Sequence, residues 1–117
     1  LFEANLEGAV LSGANLTRCN LTRANMGKVD LSDAVLVEVN LSRSNVTKSI
    51  LERANLNNST LARADFSKAN LSGANLSGAD LTLANLESPQ FVWISGLKGL
   101  CRRTGDLIPH QPPPEPV

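Results

Sequence analysis

Aromatic residues make up only 3% of this 117-residue chain: three phenylalanines, one tryptophan and no tyrosine. Large rings carry much of the burial in ordinary globular cores, so a core of that kind is excluded. The one histidine, His110, has no companion ligands nearby, which removes a histidine-based metal centre, and the repetitive part of the chain has none to build a nucleophile triad. No hydrophobic run is long enough for a membrane-spanning helix. An excess of one charge is also missing: eleven basic and eleven acidic residues cancel, so net charge points to neither nucleic acid nor membrane. The chain opens on Leu1 without an initiator methionine or a signal segment, and reads as a mature or excised piece of single-domain length.

What the sequence does have is a period of five. "ANLSGANLSGADL", from Ala69 to Leu81, shows it plainly: leucine returns every fifth residue, with Ala two places before it and Asn or Asp one place before it. The apolar series runs from Leu1 through Leu16, Leu21, Met26, Leu36, Leu41, Leu56, Leu61, Phe66, Leu76 and Leu81 to Phe91, and no member of it is polar. Residues 4 to 88 are 85 residues, or 17 consecutive units of five.

Five fits neither regular period. Every fifth residue of an α-helix advances by roughly 140°, which would scatter these leucines around the cylinder. In a flat strand, successive members of an odd series point to opposite faces. To keep all its leucines on one side the chain has to bend once per unit, and regular bending in one direction makes a coil. Stacked coils then pair their backbones, as in a β-solenoid.

These residues resemble the pentapeptide-repeat proteins, whose consensus is A(D/N)LXX, over Ala4 to Ser88. The resemblance implies an all-β fold, a right-handed quadrilateral parallel β-helix in which four pentapeptides, twenty residues, complete one coil. Seventeen units then make about four to five coils, forming a stiff rod with its lumen filled by the central leucines. The expected organisation is a β-helix over residues 1–90, a C-terminal capping segment over 91–108 and a proline-rich extended tail over 109–117. An exposed solenoid end needs a lid, and Phe91 and Trp93 are the candidates. The tail "PHQPPPEPV" cannot form ladders and reads as a linker, with a proline-rich recognition motif as the alternative.

Sorting outward residues by twenty gives columns. Two places after the leucine stand Arg23, Arg43 and Arg63 in one column and Lys28, Lys48 and Lys68 in the next. The other two columns are mixed: Arg18, Glu38, Asn58, Gly78 and Gly13, Asp33, Arg53, Gly73. Asn5, Asn25, Asn45, Asp65 and Asn85 also share a column, where carboxamides can bond along the ladder and to turn backbone. Their expected role is structural. Cys19 takes an inward small-residue position, and Cys101 lies beyond the last coil, roughly 19 Å away at ~4.8 Å per coil, too far for a disulfide unless the tail folds back.

Neither a catalytic constellation nor a cofactor or metal motif emerges; "SGANLSGAD" lacks the phosphate-loop lysine and its following helix. The expectation is a non-enzymatic scaffolding module that binds a macromolecule, in the first place another protein, through its walls. The two basic columns are the candidate binding residues, beside the plainer reading of solvated outward positions that keep the rod soluble and block edge pairing. As a binding face they also admit a nucleic acid or an anionic surface, although stacking aromatics are missing from the walls. The family resemblance supplies an alternative: a rod that imitates duplex DNA and protects a type II topoisomerase. That role asks for acidic faces and a C-terminal dimer module, which this neutral chain with basic columns does not resemble. Frequency in the family favours a bacterial cytoplasm, with the thylakoid lumen as the other compartment.

Overall fold

The computed structural model describes residues 1–86. The expected cap with Phe91 and Trp93, the proline-rich tail, Cys101 and His110 lie outside the described residues.

Each unit of five is one tight turn and one β-bridge. All bridges are parallel and join residues twenty apart, in four columns: Asn5 to Asn25, Asn45, Asp65 and Asn85; Val10 to Asp30, Ile50 and Asn70; Asn15 to Val35, Asn55 and Asn75; Asn20 to Asn40, Thr60 and Asp80. Four columns per twenty residues make a four-sided coil, with a turn at each corner and one bridging residue in the middle of each wall.

The unit around Leu21 shows why Asn or Asp precedes the leucine. Leu21 N–H donates to Asn40 C=O at 2.7 Å and Arg23 N–H to Ser42 C=O at 2.9 Å, both on the next coil. Asn25 N–H donates to Ala4 C=O on the previous coil at 2.8 Å, and Ala24 N–H closes the turn onto Leu21 C=O at 3.0 Å. One N–H of the five is left over, that of Thr22, and the Asn20 side-chain oxygen accepts it at 3.0 Å. A buried or half-buried N–H without a partner is costly, so the repeat fixes a side-chain acceptor at this place. The same bond recurs from Ser32 N–H to Asp30, Thr47 N–H to Asn45 and Ser67 N–H to Asp65. Val10, Val35 and Ile50 stand where that acceptor should be and have none to offer.

Inside the coil, Leu21, Met26, Leu36, Leu41, Leu56, Leu61, Phe66, Leu76 and Leu81 are all buried to within 1%. Burying one such side chain is worth about 1.5–3 kcal/mol relative to exposure. Phe66 is the largest of them, and the smaller Val46 stands one coil away in its column. The alanine positions lie inward as well, and at two of the three where serine replaces alanine the hydroxyl bonds backwards: Ser44 Oγ donates to Leu41 C=O and Ser49 Oγ to Val46 C=O, both at 2.6 Å, whereas the buried Ser59 hydroxyl has no partner among the described residues.

Leu16 differs from the core expectation. It is only partly buried, together with Leu6, Leu11 and Cys19, because the first coil has a neighbour on one side only. Leu1 and Phe2, at 63% and 56% exposure, continue that open end.

The turns carry a feature the repeat consensus hides. The third residue of every described turn has a left-handed φ, between 57° and 62° at thirteen non-glycine positions and 72° to 73° at Gly8, Gly13, Gly73 and Gly78. An L-residue meets a steric cost of roughly 1–2 kcal/mol in that region. The basic columns consist of these residues.

Candidate functional site

The corner side chains are the outward face of the fold, and all are exposed from Arg23 to Lys68. Two of the four corners pair their charges between coils. Arg53 Nε donates to Asp33 Oδ1 at 2.8 Å and Arg53 Nη2 to Asp33 Oδ2 at 3.0 Å, a two-point contact across one coil step. Glu52 adds an oxygen 3.9 Å from the same guanidinium and accepts from Asn70 Nδ2 at 2.9 Å. At the next corner Arg18 Nε donates to Glu38 Oε1 at 2.9 Å. The mixed columns of the sequence are therefore the ion-paired ones.

The other two corners carry one sign of charge for three coils, Arg23, Arg43 and Arg63 on one and Lys28, Lys48 and Lys68 on the other, with Glu3 heading the arginine corner on the first coil. Arg23 reaches Glu3 at 3.8 Å. Among the described residues, Arg43, Arg63, Lys28, Lys48 and Lys68 have no carboxylate within ion-pair distance. Chain order places the two corners on either side of one wall: Arg23, then the bridging Asn25, then Lys28, and the same twenty and forty residues on. The structure thus brings the six candidate cations together around a single wall. Glu52, which sequence position alone sets near the patch, belongs to the paired Arg53 corner.

That wall carries the asparagine ladder. Asn25 Nδ2 donates to Asn5 Oδ1 at 3.2 Å and Asn45 Nδ2 to Asn25 Oδ1 at 3.3 Å. The same oxygens accept turn N–H groups from Glu7 and Gly27. In the lower part of the wall Asp65 takes the asparagine position and accepts from the Ser67 hydroxyl and N–H.

Two carboxyls are tuned by their partners. The Ser32 hydroxyl, with help from the Ser32 N–H, holds the Asp30 carboxyl below the usual carboxylate range. The Arg53 guanidinium does the same for Asp33, and Asp33 in turn raises Arg53. Both acids are in use as turn or corner partners. Among the described residues there is no cluster of His, Cys, Asp or Glu that could hold a metal ion, and no helix long and apolar enough to cross a membrane.

A four-sided parallel coil with a twenty-residue rise defines a class, the β-solenoids. Within it the chain belongs to the pentapeptide-repeat family: the pentapeptide repeats model matches in eight copies, over residues 1–36, 14–53 and 49–87. Members of this family form right-handed quadrilateral β-helices. The chain is similar to a pentapeptide repeat protein of the Arabidopsis thaliana thylakoid lumen, with 26% identity, 78% of this chain and 61% of that one covered, and a TM-score of 0.53. A second similar structure is a pentapeptide repeat protein of Nostoc Pcc 7120, at 30% identity, 76% and 69% coverage and a TM-score of 0.47. QnrB1, a plasmid-mediated fluoroquinolone resistance protein, matches at 16% identity, 82% and 68% coverage and a TM-score of 0.36, too remote to inform function. No curated protein matches. The chain spans about 61% of the length of the Arabidopsis protein.

Proposed function

We propose that this chain is a non-enzymatic scaffolding module, a rod of four to five coils that binds another protein through one of its walls. One observation carries the reading: from the second coil on, every inward position of the described residues is buried, while the exposed corners form chemically distinct columns in a twenty-residue register. A surface of that kind meets a partner by extended contact rather than by enclosing a metabolite. The alternative of imitating duplex DNA asks for an acidic wall. The described corners give it little support, because their carboxylates at 33 and 38 are engaged by arginines.

The test is capture from the native cell extract with immobilised protein. A protein retained in stoichiometric amount and displaced by free rod supports the scaffold reading. Retention of nothing that free rod displaces overturns it.

A further inference from the structure

Every corner of the coil demands a left-handed residue, and the chain answers that demand in three ways. Gly8, Gly13, Gly73, Gly78 and Asn58 are residue types that enter the region easily. Arg53, Arg18 and Glu38 do not, but they gain an inter-coil ion pair, and Asp33, a type that visits the region more readily, gains one as well. Lys28, Lys48, Lys68, Arg43 and Arg63 have neither advantage, nor has the apolar Leu83 below the arginines: φ lies between 58° and 62°, and no carboxylate of the described residues is within ion-pair distance of the five cations. Stacked like charges add mild repulsion at the coil rise of ~4.8 Å. Folding does not account for five long cations here.

The wall between them narrows what they serve. Along its upper half the Asn25 oxygen accepts a turn N–H and a ladder amide and the Asn45 oxygen a turn N–H, whereas the Nδ2 of Asn25 and of Asn45 each carry two N–H groups and use one of them in the ladder. The surface therefore offers positive charge and N–H donors with few free acceptors, Asp65 being the exception. Its complement is a row of anionic acceptors. Single-stranded nucleic acid binds by stacking on aromatics, and the wall from Arg23 to Lys68 has none on its outer face. Duplex phosphates wind around their axis, whereas these cations keep to the two edges of one wall. An extended peptide suits that plan: laid along the rod over the asparagine ladder, it sends alternate side chains to opposite sides, one set toward the arginines and one toward the lysines. Its same-side spacing of ~6.8 Å exceeds the ~4.8 Å coil rise, and the long flexible cations take up the difference. Arginine adds two-point recognition of carboxylates.

From this we infer that the wall bounded by Arg23, Arg43 and Arg63 on one edge and Lys28, Lys48 and Lys68 on the other docks an extended acidic peptide segment of a partner protein. The inference rests on the scaffold reading above and names its surface and ligand chemistry.

The test is fluorescence anisotropy with a labelled peptide carrying glutamate at every other position, beside its glutamine counterpart and single- and double-stranded DNA of equal charge. The glutamate peptide should bind saturably at low salt and weaken as salt rises, and the glutamine peptide should not bind. In a variant with Lys28, Lys48, Lys68, Arg43 and Arg63 each changed to Asn, affinity should fall about tenfold or more, since each exposed ion contact is worth a factor of a few. Asn tolerates the left-handed φ, so this variant should melt at or above the parent temperature. If it does not fold, the three-lysine and two-arginine variants are measured separately, and the loss must follow the number of cations removed. Arg18→Asn combined with Arg53→Asn, on the paired corners, should leave binding within about twofold. No binding of the glutamate peptide, an equal loss in the paired-corner variant, or tighter binding of either DNA overturns the assignment. A natural partner that stays bound to the five-site variant would leave the scaffold reading standing and remove this one.

Discussion

The Arg53 and Glu38 corners and the arginine and lysine corners are built on one backbone, with the same turn, the same left-handed third residue and the same ladder. They differ only in what stands one coil away. At the first pair the neighbour has opposite charge or is glycine or asparagine; at the second, for three coils, it has the same charge. The first pair is explained by the fold's own needs. The second is not, and a repeat protein makes that contrast easy to see, because each position is its own control one coil up and one coil down.

Both pairs depend on one core, so the largest effect comes from removing it. Leu61→Asp places an unpaired carboxylate where exposure is 0%, and should cost several kcal/mol and erase the distinction between corners along with the fold. Thermal melting checks it; a variant that melts with the parent would mean that Leu61 does not face inward.

A smaller perturbation strikes the paired corners alone. Gly73 has φ 73°, and a Cβ there would lie 3.2 Å from Arg53 Cγ. Gly73→Ala should cost about 1–2 kcal/mol through backbone strain and push Arg53 off its contact with Asp33. Chemical denaturation reads the loss, and Asp33→Asn in the same background should then add little.

The opposite change at an unpaired corner should help. Arg43→Gly relieves a φ of 59° and should raise stability by up to about 1 kcal/mol, the glycine's greater freedom in the unfolded chain limiting the gain. Denaturation midpoints of Arg43→Gly and Gly73→Ala moving in opposite directions would confirm the contrast. Movement in the same direction would break it.

Acid gives the mildest separation. Asp30 and Asp33 hold their protons less tightly folded than unfolded, so the unfolded chain takes up more protons as pH falls through about 4. Their contribution is complete above that range and fades below it. Asp33→Asn should flatten the acid limb of the melting-temperature profile, whereas Lys48→Asn should leave its shape unchanged.

The repeat itself was readable in the letters: the period and the inward leucines follow from which positions are apolar or small, and the asparagine bonds to turn backbone from that residue's side chain. The twenty-residue coil came with the family resemblance, because a period of five leaves the number of units per coil open, and the outward columns agreed with it. Two things were not readable. The left-handed third residue was masked by Arg and Lys, which give no hint of φ; the only signal was the scatter of Gly8, Gly13, Gly73 and Gly78 in that position. The ion pairs were masked by distance along the chain, since Arg53 and Asp33 meet only once the coil is closed. Periodicity cannot tell an end coil from a middle one, so the pattern gives the half-buried Leu16 the same place as the fully buried Leu36.

The twenty-residue step also governs how such a rod tolerates gain or loss of sequence. Bridges always join residue n to n + 20, so each residue has an angular phase fixed by its number. Removal of 49–53 would send Arg63 to the corner now held by Asn58, and Lys68 to the corner now held by Arg63. Removal of any whole twenty would shorten the rod and leave every phase as it was. Length and direction are separate coordinates in this molecule, and only changes that are not multiples of twenty rotate one part of its surface against the other.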